Sequence, residues 1–193
     1  GTLLASGSNE DAIRLWSSSG ENKSILRGHS ETVNSVAWNH DGTLLASGSR
    51  DMTVRLWSAS GEDKGTLRGH SDEVLSVAWN HNGTLLASGS KDKTVRLWSA
   101  FGENKGILEG HSLMSVAWNH DGTLLTSGGL TSNVQLWSSS GEEKGTLTGS
   151  DGAACDLGGG WDGGSGRGRH STKWAFNIIQ TRRRWALYRD SSR

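Results

Sequence analysis

The sequence predicts an all-β fold in which four-stranded antiparallel sheets stack on one another. Two series of tryptophans recur at spacings of 41, 41 and 39 residues and of 41 and 39 residues: Trp16, Trp57, Trp98 and Trp137, and Trp38, Trp79 and Trp118. Segment 69–109 matches segment 28–68 at 31 of 41 positions. A repeat of this length built from short strands cannot bury its own faces, so we expect successive repeats to stack.

Each repeat contains four short apolar stretches separated by turn signals. The third stretch alternates polar and apolar side chains, as a half-buried strand does. Asn39-His40-Asp41-Gly42 lies between the first two stretches, and Asp-Gly favours a tight turn between antiparallel strands because glycine accepts positive φ. In the copy at 28–68 we therefore predict strands around residues 36–38, 44–47, 53–57 and 65–67.

The chain divides into repeats and a tail of different composition. We predict repeat copies at 1–27 (partial), 28–68, 69–109 and 110–149, and a Gly-rich linker with a basic Trp/Arg tail at 150–193. Residues 1–150 carry 12 basic and 16 acidic side chains, whereas residues 151–193 carry 8 and 4. We expect the tail to be a degenerate, poorly ordered copy of the repeat.

Composition excludes several classes of protein. With 20 basic and 20 acidic residues among 193, the net charge favours neither nucleic acid nor a membrane as partner. Cys155 is the single cysteine, which excludes an intramolecular disulfide framework and a multi-cysteine metal site. No apolar run approaches the roughly 18 residues of a membrane-spanning helix, and residues 1–6 lack signal-peptide features. We therefore expect an intracellular protein, cytoplasmic or nuclear.

Several motifs recur in phase in the repeats. In segment 28–68 they are Gly28-His29, Leu44-Leu45-Ala46-Ser47-Gly48-Ser49, Asp51 and Thr53-Val54-Arg55-Leu56-Trp57. With these motifs the chain resembles the WD-repeat β-propeller family from residue 1 to about residue 149. The resemblance implies four-stranded antiparallel blades in a ring around a channel, and about four blades are visible. Only three copies are entire and one is partial, whereas propellers have about 4–8 blades, so we expect the ring to be incomplete.

The resemblance also implies a structural tetrad in each blade, in which His, Ser or Thr, Asp and Trp are joined by hydrogen bonds. It maps onto His29, Ser47, Asp51 and Trp57; onto His70, Ser88, Asp92 and Trp98; and, without an aspartate, onto His111, Ser127 and Trp137. A His-Ser-Asp set is also that of a hydrolase triad. Because the set recurs in successive blades together with a tryptophan, we predict a structural network, no catalytic residue and no enzyme activity.

Turn histidines suggest a second possible chemistry. His40, His81 and His120 occupy the same turn position in successive repeats, and imidazole is the commonest metal ligand. Since each blade supplies only one of them, we expect them to lie too far apart to share an ion. We therefore predict solvated turn histidines, no metal site and no cofactor.

The resemblance implies a non-catalytic scaffold that binds other proteins. The family's partner-facing positions lie near the start of the first strand and just before the turn aspartate. On this chain they are Thr32, Asn34, Arg50, Glu73, Leu75, Lys91, Ser112, Met114 and Leu130. We expect Leu75, Met114 and Leu130 to form an apolar centre with a charged rim, as in a protein-binding patch. The alternative is that Leu75 and Met114 are core residues.

The basic tail supports an alternative function, an adaptor that associates with nucleic acid or with an anionic membrane surface. As a helix, residues 172–189 would place Trp174, Ile178 and Trp185 on one face, whereas as strands they would alternate Trp174, Phe176 and Ile178. The pattern does not separate these two structures.

An incomplete ring leaves strand edges unpaired, and such edges favour association. Three outcomes are open: two chains complete one ring, the chain is a fragment of a longer protein, or the tail covers an edge. The near identity of the repeats favours self-association, because their interfaces are interchangeable.

Overall fold

The computed structural model describes residues 3–9, 11–110, 113–129, 133–148, 178–181 and 184–187. Over these ranges the chain forms β-strands and no helix, which confirms the all-β prediction. The described residues accordingly include no helix with the length and apolar character needed to cross a membrane. The chain divides into two compact units, residues 1–154 and residues 155–193.

The first unit contains four antiparallel sheets in chain order. The first sheet has three strands, β1 (Leu3–Gly7), β2 (Ala12–Ser17) and β3 (Asn22–Arg27). The second sheet is β4 (Val33–Trp38), β5 (Leu44–Ser49), β6 (Val54–Ser58) and β7 (Asp63–Leu67). The third is β8 (Val74–Trp79), β9 (Leu85–Ser90), β10 (Thr94–Ser99) and β11 (Asn104–Glu109), and the fourth is β12 (Leu113–Trp118), β13 (Leu124–Gly129), β14 (Asn133–Ser138) and β15 (Glu143–Thr148). The predicted four-stranded antiparallel blades are thereby confirmed, with a first sheet that begins at the second strand of the repeat.

The turn between the first and second strands follows from its sequence. In the second sheet it ends at Gly42, whose φ of 72° lies in the left-handed region. Asn39 Oδ1 accepts hydrogen bonds from the backbone N–H groups of Thr43 and Leu44, both at 3.0 Å. An asparagine that binds the backbone ahead of it and a glycine at positive φ together fix a tight turn.

Consecutive sheets pack against each other through apolar side chains. The first strands β4, β8 and β12 contact one another in that order, and β1 contacts β4. Three hydrophobic clusters fill the spaces between successive sheets. The third-strand tryptophans Trp57, Trp98 and Trp137 belong to these clusters and are only 2%, 2% and 4% exposed. The tryptophan spacing in the sequence therefore marks the positions at which one sheet packs on the preceding one.

Within the second unit the described residues form one antiparallel hairpin. Its strands are β16 (Ile178–Thr181) and β17 (Arg184–Leu187), with Ile178 opposite Leu187. Of the two structures that the sequence left open for this segment, these residues adopt strands and not a helix. The Gly-rich linker and the rest of the predicted tail at 150–193 lie outside the described residues.

A glycine in the second strand lets neighbouring sheets approach closely. A Cβ atom at Gly48 would lie 2.6 Å from Cγ1 of Val74 in the third sheet, and one at Gly89 would lie 2.9 Å from Cγ1 of Val116 in the fourth. Gly128 occupies the same position in the fourth sheet, where the nearest atom to such a Cβ is Cγ2 of Val134 in its own sheet, at 3.5 Å. A side chain at this position is therefore excluded by the sheet that follows.

This contact predicts a different effect for two chemically identical substitutions. Gly48→Ala should lower the free energy of unfolding by about 1–3 kcal/mol, because the added methyl group overpacks the contact with Val74. Gly128→Ala is the matched control and should change it by no more than about 0.5 kcal/mol. Urea unfolding followed by tryptophan fluorescence measures both values. Equal losses in the two variants would contradict the assignment of this glycine to sheet spacing.

Candidate functional site

Each complete sheet carries an extra residue near the start of its first strand. In the second sheet Val33 pairs with Ser49 and Ser35 pairs with Gly48, which leaves Asn34 unpaired as a β-bulge. The equivalent bulged residues are Leu75 in the third sheet and Met114 in the fourth. Bulges re-aim side chains and are frequent beside binding sites. All three residues are among those that the sequence assigns to partner binding.

The bulged residues occupy equivalent positions of strands that contact one another, and they are open to solvent to different degrees. Asn34 is exposed, and its Nδ2 donates a hydrogen bond to the carbonyl oxygen of Val74, next to Leu75, at 2.9 Å. Leu75 is half-buried, whereas Met114 is 48% exposed. Met114 therefore lacks the burial of a core residue, and Leu75 is only partly covered.

Three charged residues form an ion network between the second and third sheets. Arg50 Nη2 lies 3.3 Å from Glu73 Oε1, and Lys91 Nζ lies 3.6 Å from the same oxygen. The side chain of Glu73 is 21% exposed, while those of Arg50 and Lys91 are 53% and 60% exposed. Ion pairs this exposed add little to the free energy of unfolding. Their main consequence is the charge that they present on the surface.

Backbone hydrogen bonds bring these charges to the edge that carries the bulges. The N–H of Arg50 donates to the carbonyl oxygen of Thr32, and the N–H of Lys91 donates to that of Glu73, both at 2.9 Å. The loop between the second and third strands is thereby joined to the start of the first strand. We call the surface formed by Thr32, Asn34, Arg50, Glu73, Leu75, Lys91 and Met114 the bulge face. The other predicted partner residues, Ser112 and Leu130, lie outside the described residues.

Sequence reasoning missed one further residue of this loop. Met52 and Lys93 follow the turn aspartates and have φ values of 67° and 71°, which are uncommon for residues other than glycine. Met52 is 45% exposed and lies two residues from Arg50. A signal was present, because the two most similar copies differ at this position within an otherwise similar turn.

Below this loop the predicted tetrad forms a chain of hydrogen bonds. In the second sheet, Trp57 Nε1 donates to Ser47 Oγ at 2.8 Å, and Ser47 Oγ lies 2.8 Å from His29 Nε2. The other ring nitrogen, His29 Nδ1, lies 2.8 Å from Asp51 Oδ2. Because an ionised carboxylate only accepts, Nδ1 carries the proton and the Ser47 hydroxyl donates to Nε2.

The same chain recurs in the third sheet and in part in the other two. The distances for His70, Ser88, Asp92 and Trp98 are again 2.8 Å at each step. In the first and fourth sheets the tryptophan still donates to a serine at 2.9 Å, from Trp16 to Ser6 and from Trp137 to Ser127. His111, the predicted partner of Ser127, lies outside the described residues.

Burial and hydrogen bonding set the charge states of the tetrad. Burial lowers the pKa of His29 and His70 below the ordinary value of 6.5, although the neighbouring carboxylates act in the opposite direction. Burial acts to raise the pKa of Asp51, but hydrogen bonds from Thr53 and His29 outweigh it and the pKa is lowered. The pKa of Asp92 falls for the same reasons, to about 2. At neutral pH a neutral histidine therefore donates to an ionised aspartate in both sheets.

The tetrad resembles a hydrolase triad in composition but not in accessibility. Ser47 and Ser88 are both 0% exposed, and each hydroxyl oxygen already accepts a tryptophan N–H. A nucleophilic serine must reach a substrate, which these two hydroxyl groups cannot do in this fold. Each hydroxyl group instead forms hydrogen bonds with two buried groups, a tryptophan Nε1 and a histidine Nε2.

The expectation that the turn histidines lie far apart is wrong. His40 and His81 have ring centroids only 4.5 Å apart, and His81 and His120 have theirs 5.0 Å apart. All three are exposed. They are not separated by the width of a blade, because the turns of successive sheets lie directly beside one another. We call these three residues the histidine row.

Stacked antiparallel meanders with a buried His-Ser-Asp-Trp network in successive sheets define a β-propeller type of repeat protein. The family model for the WD domain, G-beta repeat, matches residues 20–58, 61–99 and 102–138, which together make up more than half of the chain. The chain belongs to the WD-repeat family. Each matched segment begins near the last strand of one sheet and ends at the third strand of the next, so one sequence repeat is shared by two sheets. No curated protein matches the chain.

The tetrad predicts a graded loss of stability on removal of its serine. Ser47→Ala leaves Trp57 Nε1 and His29 Nε2 buried without a partner and should lower the free energy of unfolding by about 1–3 kcal/mol. Ser6→Ala is the comparison, because Ser6 is only half-buried and solvent can replace the lost bond. Its loss should be smaller in the same urea titration. A Ser47→Ala protein as stable as the parent would contradict the network.

Proposed function

We propose that this chain is a non-catalytic scaffold that binds a protein partner at the bulge face. WD repeats generally mediate protein–protein interaction. The observation that carries the proposal is the meeting of three bulged residues with an ion network along one edge of adjoining sheets. Bulges present Asn34, Leu75 and Met114 at equivalent positions of β4, β8 and β12.

The chemistry of this face suits a protein partner. Leu75 and Met114 supply a partly exposed apolar centre, and Arg50, Glu73 and Lys91 supply charges beside it. Protein interfaces have this arrangement, in which apolar anchors are surrounded by a polar rim. Two cations against one carboxylate favour a partner with an acidic group opposite them.

The position of these side chains on paired strands lowers the cost of binding. Residues held by a sheet lose less conformational freedom on association than residues of a free loop. The loop that carries Arg50 is itself tied to the first strand at Thr32. The bulge face is therefore preorganised in the free protein, which is consistent with a scaffold role.

The absence of catalysis is supported by the burial of the tetrad. Its hydroxyl groups are inaccessible, and its histidines are committed to aspartates. The alternative role through the basic tail stays a prediction from sequence, as does an intracellular location in the cytoplasm or nucleus.

The bulge face is tested by the double substitution Leu75→Ser and Met114→Ser. Proteins retained from a cell extract on the immobilised full chain should fall at least about ten-fold in quantitative mass spectrometry, because apolar anchors dominate interface affinity. The matched control is Phe101→Ser, since Phe101 is 94% exposed but lies in a turn at the opposite edge of the third sheet. Tryptophan fluorescence verifies that each variant is folded. Equal retention by the parent and the folded double variant would contradict the proposal.

A second proposal, self-association, is supported by the two outermost sheets. Leu4 in β1 is 48% exposed, whereas its counterparts in the other sheets are 0% exposed: Leu45, Leu86 and Leu125. Leu147 in β15 is 44% exposed, whereas its counterparts are at most 7% exposed: Leu26, Leu67 and Leu108. Within the described part of residues 1–154, no further sheet covers these two faces. Because the same two faces pack together inside the chain, a second copy can apply its first sheet to the fourth sheet of its neighbour.

Light scattering after gel filtration tests this association. The full chain should elute with at least twice its 20.6 kDa mass, and Leu147→Asp should reduce it to a single chain, because a carboxylate would be buried unpaired in the contact. Ile107→Asp is the matched control, since Ile107 is 51% exposed on the outer strand of the third sheet. A parent protein that elutes as a single chain would overturn the association.

A further inference from the structure

The histidine row lies where the first strands end, and the bulge face lies where the same strands begin. His40, His81 and His120 are each the second residue of the turn that joins the first and second strands. In each turn the N–H of the glycine donates to the carbonyl oxygen of the asparagine three residues earlier, at 3.0–3.1 Å. The row is therefore built on three copies of one rigid turn, all in the same conformation.

The close spacing of the row has a steric cause. A Cβ atom at Gly122 would lie 3.2 Å from the backbone nitrogen of His81, and one at Gly83 would lie 3.6 Å from Cβ of Asn39. In the third and fourth sheets the turn glycine thus packs against the turn of the preceding sheet. This contact brings consecutive histidines together and keeps their ring centroids at 4.5 and 5.0 Å.

These separations suit two ligands of one metal ion. With metal–nitrogen distances of about 2.0–2.1 Å, two nitrogens on a tetrahedral ion lie about 3.4 Å apart. Rotation of the exposed imidazoles can bring one nitrogen of each ring to that separation without moving the backbone. Asp41 and Asp121, which follow His40 and His120, add negative charge at both ends of the row. A cation is favoured at such a place.

We propose that neighbouring imidazoles of the histidine row bind one divalent first-row transition-metal ion. His81 supplies one nitrogen, and either His40 or His120 supplies the other. No group of three or more His, Cys, Asp or Glu side chains in the described residues is arranged to hold an ion, so water completes the coordination. A neutral imidazole has one free lone pair. His81 therefore serves one ion at a time, and the histidine row has two overlapping positions but a capacity of one.

Titration of the full chain with Ni²⁺ or Zn²⁺ in a calorimeter tests this arrangement. The parent protein should bind one ion at the histidine row. His81→Gln should raise the dissociation constant at least about ten-fold, because the second, intramolecular ligand is lost. His40→Gln and His120→Gln are the matched controls, and each leaves one pair intact. Each should weaken binding only about two-fold, the statistical factor for losing one of two equivalent positions. The double variant His40→Gln, His120→Gln should behave like His81→Gln.

Ring signals in NMR spectra locate the ion. Paramagnetic Ni²⁺ should broaden the imidazole signals of the histidine row and leave those of the buried His29 and His70 sharp. Urea unfolding of each variant without metal should match that of the parent, since all three histidines are exposed. Absence of binding in the parent, or binding that His81→Gln leaves within two-fold, overturns the proposal.

Discussion

The hydrogen bond from the third-strand tryptophan to the second-strand serine is the interaction on which the rest of the structure depends. It recurs in all four sheets at 2.8–2.9 Å. In the second and third sheets the serine passes the connection to a histidine and then to the turn aspartate. A buried polar chain of this kind specifies one geometry, because any displaced member leaves another unsatisfied. In each of these two sheets it therefore fixes the loop that holds Arg50 or Lys91 relative to the strand that carries the bulge.

Close packing between the sheets is the second constraint, and it acts at both edges. Near the end of the second strand, Gly48 admits Val74 of the next sheet. At one edge Asn34 donates to the backbone of β8, and at the other Gly83 and Gly122 lie against the preceding turns. Equivalent residues of successive repeats consequently become neighbours in space. The bulge face and the histidine row both form because successive sheets stack with equivalent residues side by side.

The repeat, the strands and the tetrad residues could be read from the sequence because each depends on local pattern or on motifs spaced along one copy. The bulges at Asn34, Leu75 and Met114 could not, since a bulge is defined by pairing with a second strand. The distance between His40 and His81 was misjudged for a related reason. It depends on how closely two turns pack, which one repeat does not contain. Ser58, which follows the third-strand tryptophan, accepts the N–H of Glu62 through its Oγ at 3.0 Å and closes the turn.

The shared register also governs how such a chain can grow. Each residue position of the repeat forms a column that crosses the stacked sheets, and duplication of one 41-residue unit lengthens every column by one side chain. A residue type suits such a position only if its side chains can lie next to identical side chains in the neighbouring sheets. Tilted imidazole rings meet this condition at centroid separations of 4.5–5.0 Å, whereas a column of lysines at that spacing would repel along its whole length. Gene duplication in this fold thus selects surfaces that are compatible with their own repetition.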